Sequence, residues 1–552
     1  MGKPILDASA MKRLPCGYTS LSKIRENNVI YVDKTSYVSS LIMNEARPVF
    51  LSRPRRFGKS LLVSVFESLF SNSREYFKGL AIENDDYWKE EKTYKVVHLD
   101  FSSYATEDLP GFKLRLNMQL LCALKDKTIE ELSDVEKSLP PAAIIEQQAR
   151  LAKHGSLVLL IDEYDAPITH SMDNREKMQE MIDFISSFFA TIKSCEKVFR
   201  FVFITGITRL AHVSLFSMFN NLLDITADDD YSGLLGITEE ELHKYFDEYV
   251  RNAASVLDMS KEEVYARMKS AYNGFQFTIN AKETVYNPWS ILSFLSNPKK
   301  GFANYWYSTS GGTPTILVEY LKKNEKLNLF NMLRYRVSSI DGKIIQVDED
   351  SLLSKSEPDK IPMDMLLLQT GYFTLKSKND YLAKLVIPND EIAESLIKLS
   401  LDIQNLGPSE ETTDKISSLS ELIDSGDIDS VFSLFNTLLC ECVSSSSKVF
   451  NDENSVRDVI YSQIRGRRIY KAREVINSQG YSDLELKTSK TKLVIEFKRI
   501  QESGGEESAI KEAISQMRTH HYGETTEDIK LIRAAMIICT AKRSLTAYRV
   551  ME

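Results

Sequence analysis

PVFLSRPRRFGKSLLVSVFESLF, residues 48–70, decides how this chain is read. A short apolar run, Val49 to Leu51, leads into the basic turn Arg53-Pro54-Arg55-Arg56-Phe57, then Gly58-Lys59-Ser60 and an apolar-periodic helix. Strand, loop and helix in that order, with Gly-Lys-Ser at the helix start, form the context of a phosphate-binding loop. The first N–H groups of such a helix have no intrahelical partner and favour an anion. Lys59 is expected to reach the β/γ-phosphates and Ser60 to ligate Mg²⁺, with Arg56 and Gly58 completing the nucleotide contacts. The usual pattern opens with glycine; Arg53 stands there, so the loop is expected to close differently.

Two later strands support this reading. Val158 to Ile161 is a continuous apolar run ending in Asp162-Glu163. Asp162 is expected in the Mg²⁺ shell and Glu163 beside the attacking water, where it would polarise it. Phe201 to Thr205 ends in Gly206-Ile207-Thr208-Arg209. A polar residue there, Thr205, is placed to sense the γ-phosphate, and Arg209 to stabilise transferring charge. Together with YKVVHLDFSSY, these short β-branched or aromatic runs alternate with helical patterns (Leu114 to Leu124, Met178 to Ile192). That alternation predicts buried parallel strands in an α/β sheet. An earlier stretch, NNVIYVDKT, also reads as a short strand.

The chain has 552 residues, too many for one hydrophobic core. Expected domains are residues 1–235 (phosphate-loop sheet), 236–330 (helical), 331–410 (connecting strands and linker) and 411–552 (a separate α/β block). Thr238 followed by Glu241 is a capping-box pattern opening the helical part. NLGPSEETTDK, residues 405–415, is the best linker candidate.

A net charge of -9 gives no general attraction to nucleic acid or anionic membrane. Contact with nucleic acid would need local patches such as Arg53, Arg55 and Arg56, or Arg465, Arg467, Arg468, Lys471 and Arg473. The six cysteines lack zinc-like spacing and read as buried thiols in a reducing compartment. No apolar run approaches the ~20 residues of a membrane span, and the first residues show no signal-peptide pattern. A cytoplasmic, soluble protein with no membrane partner is expected.

Near the end, YSDLEL and LVIEFKR carry a second constellation. Residues two apart on a strand share a face, so Glu496 and Lys498 do, and a neighbouring strand can bring Asp483 beside them. Asp483 and Glu496 are candidate metal ligands; Lys498 would orient or activate water. Gln516 on the following helix and Glu453 on the preceding one are further candidates. By contrast, His212, His520 and His521 read as loop or exposed positions. Tyr305, Trp306 and Tyr307 read as core, and Tyr286-Asn287-Pro288-Trp289 as a packing turn.

FLSRPRRFGKSLL, LLIDEYDAPI, ITGITRL with SLFSMFNNL, VYNPWSIL, TGYFTL, IPN and SDLEL with VIEFK give the chain a wider likeness. It resembles the AAA-ATPase-like proteins that carry a C-terminal PD-(D/E)xK nuclease-superfamily domain. The resemblance implies a P-loop NTPase parallel sheet, a helical or winged-helix-like middle region, and a restriction-endonuclease-like α/β end. It implies ATP and Mg²⁺ as cofactors. It marks Lys59, Ser60, Asp162 and Glu163 as nucleotide-site positions, and Asp483, Glu496 and Lys498 as the nuclease core. Arg53 fits this family, which itself lacks the first glycine. One departure stands out: Gly-Arg usually lies just before the core Asp, and here Gly480, Tyr481 and Ser482 precede Asp483. The function implied is metal-dependent cleavage or processing of DNA or RNA gated by ATP, with a homo-oligomer left open. The alternatives are a nucleotide-switched scaffold with an inactive nuclease fold, and a DNA-stimulated motor.

Overall fold

The structure is a computed structural model. It describes residues 12–43, 48–85, 88, 92–210, 221–307, 314–323, 346–347, 361–379, 382–403, 414–416, 418–442, 450, 453–465, 471–472, 476–477, 480–481, 483–488, 490–524 and 529–551. His212, most of SLFSMFNNL and of the 405–415 linker candidate, and Arg467, Arg468 and Arg473 of the second basic run lie outside them. Among the described residues, those up to Ala393 form one compact unit and those from Glu394 a second. No helix among them is long and apolar enough to cross a membrane.

The first unit is built on five parallel strands: β1 (Val49–Ser52), β2 (Lys95–Asp100), β3 (Leu157–Asp162), β4 (Phe199–Gly206) and β5 (Leu223–Asp224). Their order is β2-β3-β4-β1-β5. The α/β expectation therefore holds. β1 and β3 are buried at every position, which is why they read as unbroken apolar runs rather than alternating ones. β4 lies between β1 and β3, so its end at Thr205–Gly206 falls between the phosphate loop and Asp162. Ligands of open α/β sheets bind at such carboxyl ends.

Aromatic packing fixes the loop's helix, Lys59–Phe70, on this sheet. Phe201 and Phe203 share one face of β4, and the Phe66 ring lies 4.9 Å from each. Phe70 adds a contact to Phe201 at 5.2 Å. Beyond the sheet come the helices Glu239–Leu257, opened by the expected Thr238–Glu241 capping box, and Lys261–Tyr272. A further helix, Pro288–Ser296, is capped by Asn287. A three-stranded sheet follows, β6 (Gln346–Val347), β7 (Thr374–Asn379) and β8 (Leu382–Val386), in the order β6-β8-β7.

The stretch NNVIYVDKT differs from expectation. Among the described residues it holds only an isolated bridge between Arg13 and Val29. Ile30, Tyr31 and Val32 instead line an apolar pocket, and Asp33 bonds the N–H of Thr35 at the start of the next helix. The β-branched side chains are spent on pocket walls, not on a ladder.

The second unit has a two-stranded piece, β10 (Ile476–Asn477) with β11 (Gly480–Tyr481), and a mixed five-stranded sheet. The larger sheet comprises β9 (Lys471–Ala472), β12 (Leu484–Lys487), β13 (Thr491–Ile500), β14 (Lys530–Cys539) and β15 (Ser544–Met551), in the order β15-β14-β13-β12-β9. β13 and β14 are parallel; the other neighbours are antiparallel. Helices Ile428–Cys442 and Glu453–Arg465 contribute Val431, Leu438, Val456 and Ile460 to a core with Leu486, Ile495 and Phe497.

One position ties fold to site. A Cβ on Gly206 would lie 2.6 Å from Asp165 Oδ1 and 2.7 Å from the Tyr164 ring. Neither neighbour is free to move: Asp165 accepts from Ile207 and Thr208, and the Tyr164 hydroxyl donates to the Thr208 carbonyl. Gly206→Ala is expected to destabilise the first unit by about 1–3 kcal/mol, the cost of overpacking a closed site. Denaturant unfolding checks this; an unchanged midpoint contradicts it.

Candidate functional site

The phosphate loop is shaped by two residues in the left-handed region, Arg56 (φ 68°) and Gly58 (φ 96°). Gly58 meets that demand without strain. Arg56 does so as a side-chain-bearing residue and is held there. Its Nη1 donates to the carbonyls of Tyr305 (2.8 Å) and Trp306 (3.0 Å), and its guanidinium lies 5.1 Å over Trp289. Phe57 inserts edge-on between Phe275 and Phe277, at 4.9 and 5.1 Å. Arg53 is not at positive φ, so the missing glycine imposes no backbone strain.

Lys59 is buried, and its Nζ donates to the carbonyls of Arg53 (2.9 Å) and Pro54 (3.1 Å). Burial pulls its pKa down, opposed by Glu163 and Asp162. The Ser60 hydroxyl bonds Asp162, whose pKa burial raises against Ser60 and Lys59. Glu163 sits at φ 50°, with its pKa likewise raised by burial and countered by Lys59. The structure therefore brings Lys59, Ser60, Asp162 and Glu163 into one charged cluster, with Lys59 and Asp162 buried and Ser60 and Glu163 half-buried. Thr205 is fully buried, and its Oγ1 has no hydrogen-bond partner. Arg209 is engaged elsewhere, in a buried ion pair with Asp224. Arg56 has its Nη1 turned to the aromatic segment.

Sequence reading missed an apolar pocket beside Gly58. Its cavity volume is about 110 Å³, with walls that include Ile30, Tyr31, Leu62, Leu235, Ile237 and Phe246. Apolar walls of this kind suit a small ring system. The residues come from segments more than two hundred positions apart and each reads locally as core.

In the second unit, β12 and β13 pair with Leu484 opposite Ile495, and one further step puts Asp483 opposite Glu496. Asp483 Oδ2 accepts from the N–H of Phe497 (2.7 Å), and Lys498 Nζ lies 3.2 Å from Glu496 Oε1. Glu453 joins them: its Oε1 accepts from the N–H of Arg499 at 2.6 Å. Gln516 donates to the Tyr522 hydroxyl at 3.1 Å. His520 stacks on Tyr522, and His521 is exposed against Glu524. Arg457, one helical turn after Glu453, lowers the pKa of Asp483. A positive charge thus reaches that carboxylate without the arginine usual before it.

Glu496 is only 2% exposed, and its Oε2 has no hydrogen-bond donor. Burial first, then Asp483, pushes its pKa up to about 8; burial pushes Asp483 up to about 6. The buried Glu496, with one oxygen lacking a donor, and the half-buried Asp483 beside it fit a divalent cation, which takes one or two carboxylates and completes its shell with water and phosphate oxygens. Among the described residues no three His, Cys, Asp or Glu side chains form a metal cage. Burial pulls Lys498 down, but Glu496, Glu453 and Asp483 together outweigh it and raise its pKa.

Residues 15–216 match the family described as "Predicted AAA-ATPase", and residues 451–547 match the PD-(D/E)XK nuclease superfamily. The chain belongs to the AAA-ATPase-like proteins with a C-terminal PD-(D/E)xK domain. A relative from Azotobacter chroococcum mcd 1, the "Uncharacterized protein in vnfD 5'region", is 30% identical over 390 residues, 70% of this chain and 69% of its own. Domains of these two kinds generally use nucleotide and divalent metal, and the C-terminal match points towards nucleic acid.

The raised carboxylates give a pH prediction. Their folded pKa values exceed the unfolded ones, so this pair's stabilising effect is present below about pH 4 and is lost as pH rises through about 8. With metal chelated, hydrogen exchange of β13 in the full chain should be roughly tenfold slower in Glu496→Gln than in the parent at pH 8.5, with a smaller gap at pH 6. Mn²⁺ should slow exchange in the parent alone. Equal exchange in both proteins at both pH values contradicts the assignment.

Proposed function

We propose that this protein is an ATP-dependent, metal-requiring nuclease. In this reading the first unit binds and hydrolyses Mg-ATP, the second cleaves phosphodiester bonds, and the nucleotide state governs cleavage. The observation that carries it is the Asp483–Glu496 pair with Lys498 beside it. Facing carboxylates in a low-dielectric site destabilise the fold unless a cation is to be held there. A binding module without chemistry gains nothing from keeping them.

At the nucleotide site, the loop N–H groups and Lys59 would bind the phosphates, and the base would enter the apolar pocket beside Gly58. Ser60 and Asp162 would hold Mg²⁺, which supplies charge neutralisation at the transferring phosphoryl group. Glu163, made more basic by burial, would accept the proton of the attacking water. The Thr205 hydroxyl, without an internal partner, suits a γ-phosphate oxygen. Arg209 would take part only by leaving Asp224.

In the second unit Asp483 and Glu496 would hold the cleavage metal, which supplies Lewis-acid polarisation of the phosphate and a more acidic bound water. Glu453 fixes the β13 backbone and adds negative potential. Lys498, kept protonated by the surrounding carboxylates Glu496, Glu453 and Asp483, would orient water and stabilise the developing oxyanion as a cation; the resting lysine is not a base.

Purified protein should cleave plasmid DNA or single-stranded RNA with Mg²⁺ or Mn²⁺, and ATP should change the rate. Lys498→Ala should lower cleavage by about 10²-fold or more. Lys59→Ala should remove the ATP effect and spare basal cleavage. Glu163→Gln should keep ATP binding and slow hydrolysis by about 10²–10⁴-fold. Cleavage unchanged in Lys498→Ala would refute the site. No cleavage under any condition would favour the nucleotide-switched scaffold.

A further inference from the structure

A second cleft opens at the carboxyl ends of β4, β1 and β5. Its walls include Ser52, Arg53, Arg209, Thr226, Phe277 and Gln369, and its cavity volume is about 40 Å³. Among the described residues no carboxylate lines it. Arg209 is paired with Asp224, which leaves one carboxylate against two guanidinium groups.

Arg53 is 2% exposed. Its Nη1 donates to the carbonyls of Ser52 (2.9 Å) and Thr226 (2.7 Å), and its guanidinium lies 4.4 Å over Phe277. Nε and Nη2 are buried with no hydrogen-bond partner. An enclosed cation with unused donors is costly, because each such group forfeits its hydration without replacement. Burial accordingly pulls the Arg53 pKa down to about 9, with Asp224 opposing.

We propose that this cleft binds a small oxyanion, represented by inorganic phosphate, with Arg53 as its main contact and Arg209 beside it. A tetrahedral oxyanion offers acceptors matched to a guanidinium fork and supplies the negative charge the cleft lacks. The cleft abuts the catalytic phosphate loop and shares Arg53 and Pro54 with it. The Arg53 carbonyl holds Lys59 Nζ while the Arg53 side chain faces the cleft. The arginine in the glycine position therefore gives the loop a second anion-sensitive face. The proposal does not depend on ATP hydrolysis or on nuclease activity.

The test uses the full chain carrying Lys59→Ala, which weakens phosphate binding in the catalytic loop. Calorimetric titration with inorganic phosphate should still show saturable millimolar binding. Adding Arg53→Gln should weaken it roughly tenfold, the loss of a charge-assisted contact. Adding Ala227→Leu, which fills the cleft and leaves both guanidinium groups intact, should do the same and keeps the test decisive should Arg53→Gln misfold. Absence of binding in Lys59→Ala, or binding that survives Ala227→Leu, overturns the proposal and leaves the cleft to water.

Discussion

The insertion of Arg56 and Phe57 into the aromatic layer governs much of the first unit. A side-chain-bearing residue in the left-handed region costs about 1–2 kcal/mol. Two charge-assisted bonds to the carbonyls of Tyr305 and Trp306, with stacking on Trp289, offset that cost. The receiving segment is itself held down: the buried Glu391 carboxylate accepts from the N–H groups of Tyr305 and Trp306 and from the Ser290 hydroxyl. The phosphate loop is thus shaped before any ligand arrives, and a shift at the loop cannot leave the aromatic segment unmoved. Coupling of this kind travels through packed contacts that tolerate few intermediate arrangements.

The second unit shows the opposite economy. Its sheet gains stability from an apolar core, while Asp483 and Glu496 face each other on it and subtract from that stability. Sites that perform chemistry commonly keep such groups with perturbed pKa values. Here burial supplies most of the perturbation, Lys498 stays protonated, and Arg457 delivers positive charge from a neighbouring helix.

Much of this was legible in the sequence because the signals are local. β1, β3 and β4 announce themselves as short apolar runs, and the phosphate loop lies in one stretch. The Asp483–Glu496–Lys498 grouping follows from strand alternation plus one antiparallel register. What escaped depends on distant segments meeting. The pocket beside Gly58 is assembled from apolar residues indistinguishable from core. The destination of Arg56 depends on carbonyls some 250 positions away, so a nucleotide contact was the natural local reading. Arg209 found Asp224 at the end of β5, where no motif signalled a partner. NNVIYVDKT has strand composition, but among the described residues it finds no edge to pair with beyond Arg13.

If nucleotide binds the loop as proposed, the contacts of Arg56 imply that the phosphate loop and the aromatic segment respond together. Hydrogen exchange of residues 275–277 and 303–307, with and without a non-hydrolysable ATP analogue and Mg²⁺, tests it most directly. The account predicts slower exchange there on binding, and loss of that effect in Arg56→Ala under conditions where the variant still binds the analogue. Saturating nucleotide with unchanged exchange in those residues would contradict it.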